Sequence, residues 1–126
     1  MSYLKICVFI FCAAWGCLSQ ATTISKLSTG TTGESNGPSF NPSISGDGRY
    51  VVFESVASNL ILNDTNNVSD IFLVDSLTNT MERVSLGLNG SEANGASTNP
   101  AISADGNYIA FESSATNLVS GDANNV

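Results

Sequence analysis

Apolar residues along this chain come in short runs, with polar punctuation between them. "YVVF" (Tyr50–Phe53) and "IFLV" (Ile71–Val74) are apolar at both alternating sets of positions, and Gly, Asn, Asp, Ser or Pro bound each run. Runs of this length, rich in β-branched and aromatic residues, predict strands. A strand apolar on both sides is one covered on both sides. The pattern predicts four strands in succession: Asn41–Ser45, Arg49–Ser55, Asp70–Asp75 and Thr80–Leu86. Asp47-Gly48 sits between the first two, where Asp and Gly are expected to supply the left-handed positions of a tight hairpin. Ser76–Asn79 is the turn before the fourth strand. That strand mixes Glu82 and Arg83 with Met81 and Val84, as an outer edge does. Little from Thr22 onward reads as helix.

The pattern then repeats. Residues 34–68, "ESNGPSFNPSISGDGRYVVFESVASNLILNDTNNV", align without a gap on 92–126, "EANGASTNPAISADGNYIAFESSATNLVSGDANNV". The offset of 58 carries Asn41-Pro42 onto Asn99-Pro100, Asp47-Gly48 onto Asp105-Gly106, and Phe53-Glu54-Ser55 onto Phe111-Glu112-Ser113. "TISKLS" (23–28) also aligns on "TMERVS" (80–85), one residue out of step because of Ser91. Self-similarity at such a period marks a repeat architecture. A four-stranded antiparallel sheet, buried on both faces and written in tandem, fits the blade of a β-propeller. The fold class expected is therefore all-β, with about two four-stranded antiparallel blades present. A two-sheet sandwich is the alternative, and it would leave the repeat unexplained.

"NPSISGDGRYVVFES" and "NPAISADGNYIAFES" resemble the Pro-x-x-Ser-x-Asp-Gly-x-Tyr-x-x-Phe signature of TolB-type, WD-like β-propeller repeats. "SNLILNDTNNVSDIFLVD" resembles a secreted bacterial subgroup with a longer connection. The likeness covers nearly everything after the first segment. It departs from the family where Gly46 and Ala104 replace a proline before the Asp-Gly turn. It implies a periplasmic or extracellular propeller that binds partners, and it implies no catalytic residues.

The organisation expected is a signal peptide (1–21), a leading strand (22–33), a first repeat (34–91) and a second, truncated repeat (92–126). Residues 1–21 have one cation, Lys5, then an apolar stretch from Ile6 to Leu18, then small residues at Ser19 and Ala21. That is the layout of a secretory signal, too short and wrongly flanked for a membrane span. A propeller needs about four to eight blades. The chain is thus expected to be part of a larger ring, closed by further blades or by other copies. The leading strand, Thr23–Ser28, would complete a blade from elsewhere.

Composition narrows the chemistry. The three cysteines, Cys7, Cys12 and Cys17, all lie in the signal segment, and the chain has no His. The mature chain would have no disulfide, thiol nucleophile or imidazole base. The net charge of −7 becomes more negative by one once Lys5 is removed. Such a chain lacks the basic footprint that nucleic acid or an anionic membrane requires.

Two sets of residues remain as candidate chemistry. "NDTNNVSD" (Asn63–Asp70) offers oxygens from Asp64, Asn66 and Asp70, and the second copy offers Asp122 and Asn124. Hard cations such as Ca²⁺ take six to eight oxygens from closely spaced loop positions. The same residue types also hold plain turns. Glu54 and Glu112 could in principle act as a carboxylate pair, but a residue written once per repeat is more simply part of the repeat. No catalytic set is evident. The expected function is a non-catalytic binding scaffold for a protein or carbohydrate partner. The alternatives are the propeller portion of a larger secreted hydrolase and a Ca²⁺-stabilised surface module. Tyr50, Phe53, Tyr108 and Phe111 are expected to form core between blades. Asn63, Asn67 and Asn89 begin N-glycosylation triplets.

Overall fold

The computed structural model describes residues 25–122. The expected signal peptide, Thr23, Ile24 and Asn124 lie outside them. Eight strands follow in order: β1 (Thr29–Gly30), β2 (Gly33–Glu34), β3 (Ser39–Ile44), β4 (Tyr50–Ser55), β5 (Asp70–Asp75), β6 (Thr80–Arg83), β7 (Ser97–Ile102) and β8 (Ile109–Ser113). A 3-10 turn at Leu88–Gly90 separates β6 from β7. The described chain is all-β. β3-β4-β5-β6 form one antiparallel sheet in sequence order, β1-β2 form a small ladder, and β7-β8 form a two-stranded sheet. No helix among the described residues is long and apolar enough to cross a membrane.

β4 and β5 are the centre of the sheet. They pair over six positions, from Tyr50↔Asp75 to Ser55↔Asp70. One face carries Val51, Phe53, Phe72 and Val74, which pack with Ala57 and Leu60 and are flanked by Leu27, Ile61 and Met81. Phe53 and Phe72 stack with ring centroids 5.9 Å apart. The other face carries Val52 and Ile71, both fully buried. On that side Glu54 accepts a hydrogen bond from the backbone N–H of Asn99 in β7 at 2.6 Å. Two-sided burial thus follows from two coverings: the leading segment and the Ala57–Ile61 loop on one face, the second repeat on the other.

The local rules are visible in both repeats. β3 and β4 lose register between Phe40 and Ser43, and β7 and β8 do so between Thr98 and Ala101. At each bulge an Asn adopts a left-handed conformation, Asn41 at φ 49° and Asn99 at φ 53°, followed by a proline that has no N–H to give the ladder. Among the described residues all six non-glycine residues with positive φ are asparagines. The Asn-rich connections therefore supply a side chain that tolerates this conformation better than most.

At the hairpin only Gly48 is left-handed, at φ 75°; Asp47 is not among the positive-φ residues. Asp47 works through its side chain instead, accepting bonds from Ser45 Oγ at 2.6 Å and Arg49 N at 3.0 Å. Those bonds draw its carboxyl below the usual range, the Ser45 bond being the larger cause. Gly46, where the resembled family has proline, donates its N–H to the Ala104 carbonyl at 2.8 Å. A proline there would have no donor, and a Cβ on Gly46 would stand 2.9 Å from the same oxygen. The glycine is what lets the two hairpin turns stack.

Several element boundaries differ from expectation: β3 starts two residues before Asn41 and ends one before Ser45, and β4 starts one after Arg49. The fourth strand stops at Arg83, and Leu86 bridges Glu92 instead. Ser25–Ser28 carry no strand pairing, and the first ladder is Thr29–Gly30 with Gly33–Glu34. Leu27 and Ser28 are nevertheless packed inward: Leu27 lies against the core and Ser28 is buried.

Candidate functional site

The acidic connection folds around a guanidinium. Arg83, at the end of β6, directs Nη1 to Asp64 Oδ1 at 3.1 Å, Asp70 Oδ2 at 3.2 Å and Glu92 Oε1 at 2.9 Å. The side chains of Arg83, Asp64 and Asp70 are 6%, 4% and 0% exposed. Asn66 lies alongside, donating to Asp70 Oδ2 at 2.8 Å and to the Ala93 carbonyl. Ser85 donates to Asp70 Oδ1 at 2.6 Å and accepts from Ile71 N. Thr65 donates through both N and Oγ1 to Glu92. Three of the proposed oxygen donors, Asp64, Asn66 and Asp70, thus converge, but on Arg83 and on each other.

The cluster is unevenly charged, with one cation facing three carboxylates. Burial pushes the Asp64 carboxyl upward, the negative charge of Asp70 adds to the rise, and Arg83 opposes it. Glu92 moves the other way, down to about 2, through its two bonds from Thr65 and then its bond from Arg83. Burial works against the charge on Arg83. Its bond to Glu92 and the nearby Asp70 and Asp64 charges outweigh that, so its pKa rises. Arg83 Nε is buried with no hydrogen-bond partner among the described residues. Within those residues no group of three or more His, Cys, Asp or Glu has the arrangement to hold a metal ion.

The same device is written a second time at the start of the described chain. Lys26 pairs with Glu34 as Arg83 pairs with Glu92. Thr29 pairs with Glu34 as Leu86 bridges Glu92. Asn59 Nδ2 donates to the Glu34 carbonyl at 2.8 Å, and Asn117 Nδ2 to the Glu92 carbonyl at 2.8 Å. Sequence reasoning passed over Arg83, although "TISKLS" on "TMERVS" already placed Lys26 on Arg83. The signal was there as a cation recurring beside a recurring Glu.

Asn41, Asn99, Glu54 and Glu112 form a second polar set on the β3 and β7 side. Asn41 Nδ2 donates to Asn99 Oδ1 at 3.1 Å across the repeat boundary. Asn99 gives its backbone N–H to Glu54 and its side-chain amide to Glu112 Oε2 at 3.1 Å. The two glutamates therefore meet through one asparagine, as links between neighbouring repeats.

An open recess of about 310 Å³ lies on the β4–β6 side, lined by Tyr50, Leu73, Asp75, Thr80, Met81 and Glu82. Arg49 contacts two of these residues. Its guanidinium sits 4.8 Å from the centre of the Tyr50 ring and forms a bidentate pair with Asp75, with bonds of 2.7 to 3.1 Å. That pair draws the Asp75 carboxyl far below the usual range. This recess had no signal in the sequence, because its walls come from three strands.

The remaining candidates are dispersed. Asp122 is part-exposed and lies in the second repeat where Asp64 lies in the first. Phe53 is core, but packed with its own sheet, the Ala57–Ile61 loop and Leu27 instead of the second repeat. Phe111 is only half-buried and Tyr108 is 74% exposed, so they do not match Phe53 and Tyr50 in burial. Asn63 and Asn67 spend their conformational tolerance on left-handed turns, as does Asn89. No protein-family model, no curated protein and no solved structure matches the chain.

Proposed function

We propose that this chain is a portion of a secreted β-propeller-type repeat protein whose blades act as a non-catalytic binding scaffold. The observation carrying the reading is that the first hairpin of the second repeat and its flanking turns rebuild the side-chain bonds of the first at the 58-residue offset. Ser39 Oγ bonds Ser55 Oγ at 3.0 Å, and Ser97 Oγ bonds Ser113 Oγ at 3.0 Å. Asn36 Nδ2 bonds Ser58, and Asn94 Nδ2 bonds Thr116, each at 2.9 Å. The resemblance to TolB-type repeats and the secretory layout of the first 21 residues point the same way. The carboxylates are engaged in structural bonds: Glu54 and Glu112 through Asn99, and Asp64, Asp70 and Glu92 through Arg83. The recess beside Tyr50, Leu73 and Glu82 is the binding surface we assign to the first repeat. It suits a peptide or sugar that stacks on an aromatic ring and donates to a carboxylate.

The test uses the secreted mature protein beginning at Thr22 on arrays of peptides and oligosaccharides. Saturable binding that Tyr50→Ala or Glu82→Gln weakens at least tenfold, without turnover of bound ligand, is the expected result. Turnover of an ester, peptide or glycoside by the purified chain would overturn it.

A further inference from the structure

Glycine follows asparagine three times in the chain: Asn36-Gly37, Asn89-Gly90 and Asn94-Gly95. The first and last are equivalent at the 58-residue offset, and both are locked. Asn36 accepts from Ser58 N at 3.0 Å and donates through Nδ2 to Ser58 Oγ at 2.9 Å. Asn94 does the same with Thr116, at 2.8 and 2.9 Å. Their glycines lie close to backbone: a Cβ on Gly37 would stand 3.0 Å from Ala57 N, and one on Gly95 2.7 Å from Ala115 N. Asn89-Gly90 is built otherwise. It ends the 3-10 turn, and both residues are exposed. The Asn89 side-chain amide has no hydrogen-bond partner among the described residues. Of the left-handed asparagines among those residues, Asn89, at φ 61°, is the one followed by glycine. A Cβ on Gly90 would meet nothing within 4 Å, and Gly90 N donates to Gly87 O at 3.1 Å.

We propose that Asn89 is a site of spontaneous covalent modification: its side-chain amide cyclises onto the Gly90 nitrogen, loses ammonia and, with water, becomes aspartate or isoaspartate, loosening the junction between the repeats. The Gly90 nitrogen attacks Asn89 Cγ. A C–N bond forms, the Cγ–Nδ2 bond breaks, and Nδ2 leaves as ammonia with the proton from Gly90 N. Water then opens the cyclic imide at either carbonyl, so that one water is taken up and one ammonia released. Glycine favours the attack because it has no side chain to crowd the nitrogen and its backbone turns freely. To bring that nitrogen onto Cγ, ψ of Asn89 has to leave 23°. The rotation breaks the Gly90–Gly87 bond, and Gly90 has open space around it. At Asn36 and Asn94 two side-chain bonds must break as well, and the glycine is crowded by Ala57 or Ala115. The consequence falls on the turn. Gly87 N donates to Ser91 O and Leu88 N to Asn117 O, each at 2.8 Å. Isoaspartate routes the main chain through Cβ and Cγ of residue 89, which lengthens it by one atom in the midst of those bonds. None of this depends on what the blades bind.

The test holds the secreted mature chain at mildly alkaline pH, folded in one sample and in urea in a second. Peptide mapping by mass spectrometry reads the replacement of amide by acid at each site, and enzymatic methylation of isoaspartate identifies the product. In the folded chain Asn89 is expected to convert faster than Asn36 and Asn94 by roughly tenfold or more, the cost of opening two further ordinary hydrogen bonds. In urea the three are expected to convert at similar rates. Asn89→Gln is expected to abolish the folded-state conversion, because the longer side chain would have to close a larger ring. Amide exchange at Leu88 is expected to be faster in the converted chain than in the fresh one. Equal rates at the three sites in the folded chain, or an Asn89 that converts in urea alone, would overturn the site. Conversion of Asn89 with Leu88 exchange unchanged would overturn its effect on the junction.

Discussion

Arg83 decides what the acidic connection is. A buried guanidinium among Asp64, Asp70 and Glu92 fills the place that a cation would take, and it is tethered by its own chain. Removing it leaves three carboxylates facing one another in a poorly solvated place. Arg83→Met is expected to destabilise the fold by roughly 3–5 kcal/mol, the cost of breaking a buried ion pair from one side, measured by urea unfolding. With Arg83 present, Ca²⁺ or a chelator is expected to leave the melting temperature unchanged; a rise of several degrees with Ca²⁺ would return the loop to the metal reading. The pH dependence follows from two opposed shifts. Glu92 has a depressed pKa of about 2 against its ordinary 4.5, so its stabilising contribution is complete above the ordinary value and is lost as pH falls toward 2. Asp64 has a raised pKa, so the folded state takes up its proton first and gains on the unfolded chain as pH falls. Glu92→Gln is expected to melt lower than wild type at pH 6 and to differ little at pH 2.5, as read by thermal scans at each pH. This network was half-legible in the sequence. Asp64, Asn66 and Asp70 announced themselves by spacing. Arg83 lies thirteen or more residues from the two aspartates, on another strand, and only the fold brings it there.

Strands and turns were the most legible features, because their determinants are local. β5 has the bounds expected from "DIFLVD", and β4 is one residue shorter than expected. The outer strand is shorter than its pattern because Ile71 N gives its bond to the Ser85 hydroxyl, Leu86 N turns back onto Val84 O, and Leu86 then meets Glu92. That contact lies beyond the reach of a local pattern. The Asp-Gly hairpin was placed correctly, with a different division of labour: glycine takes the left-handed position and aspartate the hydrogen bonds. Gly46 gives a test at this scale. Gly46→Ala places a methyl group against the Ala104 carbonyl, and Gly46→Pro also removes the donor. Each is expected to loosen the contact between hairpin turns and to cost about 0.5–1.5 kcal/mol, the net range for an ordinary hydrogen bond, since Gly46 and Ala104 are both exposed, with proline the worse. A stabilising proline would show that the two turns do not stack in solution.

At the scale of the molecule, two repeats share faces instead of standing as separate beads. Val52, Ile71 and Glu54 of the first repeat turn toward β7, and Asn41 and Asn99 are joined across the boundary. The described chain should therefore unfold in one transition, with the second repeat lost when the first is damaged. Phe72→Ala removes one half of the Phe53–Phe72 stack and is expected to cost about 3–5 kcal/mol. It should also speed amide exchange in β7 and β8, which it does not touch. Exchange in β7–β8 unchanged while β3–β6 open would mean independent repeats.

The sequence by itself determined the all-β class, the period, the strand order within a repeat and the positions of the turns. Each of these depends on residue alternation, on backbone tolerance at Asn and Gly, or on self-comparison, and all three can be read along one dimension. Tertiary structure alone decided the partners of the charges and the fate of the edges. Arg83 could have faced solvent, and "NDTNNVSD" could have opened around a cation. Glu54 and Glu112 could have lined a cleft instead of meeting at Asn99. Their roles depend on which strand lies beside which and on how much water remains there, and neither is encoded within reach of any one segment.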